Sequence, residues 1–223
     1  MPRQTLQQEL KRIQDEVLVL GSMVENALVQ SVEMLSERDM EGAKRLIKAD
    51  QLINKKRFNI EQDVLTLIAT QQPMAGDLRT VAGVLEIITE LERMGDYAKG
   101  IARINLMMGE KPLLKPLLDI PRMAKMVQGM LHRALDAFTR RDVELARELP
   151  KEDDAVDDLY NQVYHELLVF MMKDPQTIDQ ASYLLWVAHN LERVGDRVTN
   201  ICERVVFTVT GEMKELDTDE DWN

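Results

Sequence analysis

The chain has 223 residues, 45% of them apolar and 30% charged, with a formal net charge of −11 at pH 7 and a pI near 4.9. That acidity argues against nucleic acid, which selects a basic face, and against direct binding to anionic lipid, so membrane association is expected only through partners. Aromatic residues are only 4% while there are 14 methionines, which favours adaptable helix cores over sheets, and a single cysteine, Cys202, excludes an intramolecular disulfide.

Met1-Pro2-Arg3-Gln4 runs into a charged helical pattern without a signal-peptide core, and no apolar run approaches the ~18 residues of a spanning helix. A cytoplasmic protein is expected. Apolar periodicity predicts helices over roughly residues 4–36, 40–70 and 76–108 of the first half. In the second half it predicts roughly 121–139, 143–172 and 177–210. Asp39 and Asp142 stand where N-caps belong, and Gly109 and Gly211 where helices close. Pro150 falls inside the fifth helix and is expected to kink it rather than end it. The expected organisation is all-α: a first three-helix bundle (1–110), a proline-bearing linker (111–120), a second bundle (121–211) and an acidic, disordered tail (212–223) in which Trp222 is incidental.

The two halves are copies. Leu91-Glu92-Arg93-Met94-Gly95-Asp96 recurs as Leu191-Glu192-Arg193-Val194-Gly195-Asp196, 100 residues on, while Asp39 and Asp50 recur as Asp142 and Asp153, 103 on. Such a repeat is longer than a solenoid unit and indicates duplication of a three-helix bundle. Each phrase sets two carboxylates four residues apart, about 40° from each other around a helix. Glu92 continues the stripe of Val81, Leu85 and Ile88, and Glu192 that of Ala181, Leu185 and Ala188.

On the preceding helices Asp50 and Asn54 follow Ala43 and Leu46, and Asp153 and Asp157 follow Ala146 and Leu149. Antiparallel packing would set Asp50/Asn54 against Glu92/Asp96 and Asp153/Asp157 against Glu192/Asp196. Carboxylates gathered in a partly dry groove must be protonated, paired with cations or bound to metal. Oxygen ligands suit hard cations such as magnesium and manganese, or iron, with zinc also compatible. Glu203 lies on the side of Glu192 and is a further candidate ligand, while its counterpart in the first half is Arg103. A charged stripe is also an ordinary solvated face, and Gly95 and Gly195 equally serve close helix approach.

The doubled Leu-Glu-Arg-x-Gly-Asp phrase stands with Gln71-Gln72-Pro73, Asp77-Leu78-Arg79, Met171-Met172 before Asp174-Pro175, and Asn200-Ile201-Cys202-Glu203. Over nearly the whole chain these residues resemble the PhoU family, accessory regulators of the bacterial phosphate-specific transport system. The resemblance implies tandem three-helix bundles, a homodimer or other oligomer, and no catalysis. It implies a negative regulator linking the ATPase subunit of the phosphate ABC transporter to the sensor histidine kinase of the phosphate-starvation response. It also implies multinuclear metal at Asp50, Asn54, Glu92 and Asp96 and at Asp153, Asp157, Glu192 and Asp196, although Asn54 departs from a strict carboxylate pattern.

Two other functions compete. A di-iron carboxylate enzyme in a helical bundle usually needs Glu-x-x-His pairs, and the residues three before His132, His165 and His189 are Gly129, Gln162 and Trp186. A metal-free helical scaffold would leave the acidic stripes facing water.

Overall fold

The computed structural model describes residues 2–216, and all its regular structure there is helical. The first repeat holds α1 (Pro2–Glu37), α2 (Met40–Gln71) and α3 (Gly76–Met107). The second holds α4 (Asp119–Arg140), α5 (Val143–Glu148), α6 (Asp153–Lys173) and α7 (Ile178–Thr210).

Local chemistry explains the boundaries. Asp39 Oδ1 accepts the Gly42 N–H at 2.8 Å, and Asp142 Oδ1 accepts the Leu145 N–H at 3.0 Å, so both copies are N-caps. Gly211, at φ +85°, closes α7 with its N–H on the Phe207 carbonyl at 2.9 Å. Pro121 falls in the first turn of α4, where its missing N–H costs no intrahelical bond, so the linker ends two residues earlier than expected.

Pro150 does more than kink. Leu149–Glu152 winds as a 3₁₀ turn that divides the predicted helix into α5 and α6. Its ring crowds the carbonyl four residues back and removes one i→i−4 bond, and the tighter turn absorbs both. The first repeat has no proline there, and α2 runs unbroken.

The three helices of the first repeat pack as a bundle, as do α4, α7 and the interrupted α5–α6 pair of the second, and the repeats join through α3 against α7 and α1 against α4. Both junctions are antiparallel. Glu86 pairs with Arg204 at 2.9 Å, Glu90 with Arg197 at 3.2 Å, and Gly100 faces Asn190. On the other junction Glu25 meets His132 at 3.4 Å, and Leu135 packs onto the bare backbone of Gly21. Since α3 and α7 are duplicates, their antiparallel pairing relates the repeats by a pseudo-twofold. One contiguous apolar core runs through both bundles, from Ile13 and Leu20 through Ile88 and Leu91 to Leu191 and Val198.

Two further findings depart from expectation. The Gln4–Glu37 stretch is long and apolar enough, over an 18-residue window of hydropathy 1.2, to cross a membrane by length and composition. Here it is α1, whose Val17, Leu20, Val24 and Leu28 are fully buried while polar residues alternate between them. The tail, for its part, begins packed rather than free: Leu216 lies against the core and its N–H bonds Glu203 at 3.1 Å. The rest of the predicted tail, Trp222 included, lies outside the described residues.

Candidate functional site

The first acidic seam lies between α2 and α3. Asp50 is 4% exposed and reaches α3 at Gly95, where an added Cβ would sit 3.9 Å from Asp50 Oδ1 and 3.2 Å from two carbons of Ile53. Lys99 Nζ donates to Asp50 Oδ2 at 2.6 Å and to Asp96 Oδ1 at 3.2 Å, bridging the two helices. Asn54 Nδ2 adds a bond to Asp50 Oδ2 at 3.4 Å. Asp50 Oδ1 and Asn54 Oδ1 are buried without a hydrogen-bond partner among the described residues. Burial pushes the Glu92 carboxyl above its ordinary value, and the charges of Asp96 and Asp50 add to this. Asp96 itself is 51% exposed, so the seam runs from a buried floor to a wet rim.

The second seam repeats the plan with different partners. Asp153 opens α6 and is buried over Gly195, where any Cβ would overlap its Oδ1. Glu192 is raised by burial first and by Asp196 second, with His189 and Arg193 opposing. His189 Nδ1 stands 3.2 Å from Glu192 Oε2, and Arg193 pairs with Asp196 at 2.8 Å. Asp157 is exposed, whereas its counterpart Asn54 is half-buried.

Glu203 accepts the Leu216 N–H at 3.1 Å and the Arg204 guanidinium at 3.3 Å, so here it holds the start of the tail. It also borders an open polar cleft of about 330 Å³ with Arg193, Asp196, Arg197, Thr199, Asn200 and Glu215. Thr199 is 4% exposed, and its Oγ1 is buried with no hydrogen-bond partner among the described residues.

The donor chemistry is that of hard cations: carboxylates, an amide and a hydroxyl. Among the described residues, however, no three His, Cys, Asp or Glu side chains converge as a ready-made metal centre. A cation entering the second seam would draw Glu192 from His189 and Asp196 from Arg193. Sequence reasoning passed over Lys99 and Thr199, which occupy the same place in the repeat; comparing positions 99 and 199 directly was the available signal.

Duplicated bundles, joined antiparallel through α3 and α7 and bearing a carboxylate seam at the same level of each, define the class: an internally duplicated, all-helical tandem-bundle protein. A family model described as "PhoU domain" matches residues 17–104 and 120–205, one match per repeat. The chain is 38% identical over 220 residues to the phosphate-specific transport system accessory protein PhoU homolog of Clostridium acetobutylicum, covering 97% of this chain and 99% of that one. It superposes on the crystal structure of PhoU from Pseudomonas aeruginosa with a TM-score of 0.87, at 32% identity, covering 92% of this chain and 99% of that one. The crystal structure of the phosphate transport system regulatory protein PhoU from Streptococcus pneumoniae matches with a TM-score of 0.86, at 31% identity, over 94% of this chain and 99% of that one. The chain belongs to the PhoU family. That family is one of accessory and regulatory proteins, not of enzymes.

Proposed function

We propose that the chain is a cytoplasmic negative regulator of phosphate uptake and of the phosphate-starvation response. It couples the ATPase subunit of the phosphate ABC transporter to the sensor histidine kinase. The observation that carries this reading is the double match: both repeats, and nearly the full length of the accessory relatives, are present in one chain. An adaptor needs two faces, and the pseudo-twofold supplies two related ones. Exposed apolar side chains support protein partners, with Leu52 and Phe58 on α2 each 59% exposed and Trp186 on α7 55% exposed. One such surface pairs two copies as a homodimer.

In this reading acidic-seam carboxylates take metal, with iron, manganese, magnesium or zinc as candidates, in a structural or regulatory role. Asp153, Glu192, Asp196 and Thr199 would hold it in the second repeat. The test is co-purification: untagged chain is mixed with the transporter ATPase subunit and with the kinase. Complexes with both are expected, and failure to bind either one contradicts the adaptor.

A further inference from the structure

Lys99 has no place in the family resemblance, yet it stands at the centre of the first seam. Its ammonium lies 2.6 Å from the buried Asp50 and 3.2 Å from Asp96, within hydrogen-bonding distance of both. The lysine side chain is 19% exposed, so the bridge is largely sheltered from water and salt. In the second repeat the same position, one turn after the Gly-Asp pair, is Thr199. On α7 the residues Glu192, Asp196, Thr199 and Glu203 lie within about 60° of one another around the helix. Thr199 is thus set into the acidic face, buried, with an oxygen that no described residue satisfies.

The two side chains have opposite meanings for a cation. An ammonium has three donors and no acceptor, so it cannot ligate a metal and repels one. It is also tethered to α3, so its effective concentration at Asp50 far exceeds that of a free ion. A metal entering there must displace it and leave a displaced ammonium beside the incoming charge. A threonine hydroxyl carries no charge and offers a hard oxygen. The cations of the second seam, Arg193 on Asp196 and His189 beside Glu192, are 38% and 54% exposed and can swing into water, whereas Lys99 is held between two carboxylates at 19% exposure. We propose that Lys99 is the built-in counter-ion of the first seam, and that metal is taken at the second seam alone, where Thr199 leaves room for it.

This inference rests on the metal reading above, and the test separates the two. The full chain is stripped with chelator and titrated with manganese(II), counting bound ion from the loss of its free EPR signal. Wild type is expected to bind at the second seam only. Lys99→Thr should open the first and raise the stoichiometry about twofold, and Thr199→Lys should abolish binding without touching a carboxylate. Lys99→Gln, which keeps the bulk and loses the charge, is expected to behave as Lys99→Thr does, and circular dichroism verifies that each variant folds. Wild-type binding that Asp50→Asn reduces would overturn the inference and leave the metal reading standing. So would a Lys99→Thr variant that is folded and gains no manganese. No manganese on any of the proteins overturns the metal reading and the inference with it.

Discussion

The Asp153 carboxylate rests on the bare backbone of Gly195, so closely that a Cβ there would overlap its Oδ1. In the first repeat Gly95 plays the same part under Asp50 and Ile53 with more room, its nearest neighbours 3.2 Å from an added Cβ. The glycines of both Leu-Glu-Arg-x-Gly-Asp phrases therefore let the carboxylate helix approach. Gly195→Ala is expected to destabilise the fold by about 1–3 kcal/mol, since Asp153 must leave its place. Gly129→Ala, where nothing lies within 4 Å of an added Cβ, is the matched control. It should stabilise α4 by up to about 1 kcal/mol through helix propensity. Urea unfolding of the two variants measures both.

The duplicated N-caps should cost alike. Removing the side-chain acceptor in Asp39→Ala or Asp142→Ala leaves the Gly42 or Leu145 N–H without it. Each change is expected to cost about 1 kcal/mol. The two losses should add in the double variant, because the caps sit in different repeats.

Glu192 gives the pH dependence its sign. Its folded carboxyl is raised above the ordinary 4.5 by burial and then by Asp196. The folded state therefore holds that proton more tightly than the unfolded chain does. The resulting stability is present below the ordinary value and is lost as pH rises through the folded value. In chelator, Glu192→Gln should melt above wild type at neutral pH, with the gain shrinking as pH falls below the ordinary carboxylate range. A gain that instead grows on acidification would contradict this account of Glu192. Thermal melts across pH record the trend.

Cys202 is fully buried, and burial pushes its thiol up to about 12. The nucleophilic thiolate is then scarce at neutral pH, and reagent cannot reach the sulfur in the native fold. Thiol titration with a chromogenic disulfide should show no native reactivity and one equivalent after denaturation.

Much of the fold could be read from the residues, because periodicity, caps and closing glycines act locally. Asp39, Asp142 and Gly211 mark helix ends by chemistry that needs no tertiary partner. What escaped was set by contacts between helices. Arg38 and Arg141 both end helices in the left-handed region, at φ 58° and 57°, where sequence alone gives arginine no preference. Tertiary bonds hold them there: Arg38 reaches Asn105 and the Gly109 carbonyl, and Arg141 reaches Thr80 and the Thr208 carbonyl at 3.3 and 3.2 Å.

The acidic seams were legible as stripes but not as sites. Helical spacing placed Asp50 and Asp153 on the buried floor and did not separate the exposed Asp157 from the half-buried Asn54. It was silent on Lys99, whose meaning depends on a partner 49 residues away. Spacing placed Glu203 on the side of Glu192 but gave no sign of the bonds that carboxylate accepts from Leu216 and Arg204.

The most direct test of the central claim is a phosphate-repressed promoter reporter in cells lacking this chain, grown in abundant phosphate. The regulator proposed here predicts that the reporter stays on and that restoring the chain shuts it off. Repression that persists unchanged without the chain would contradict it.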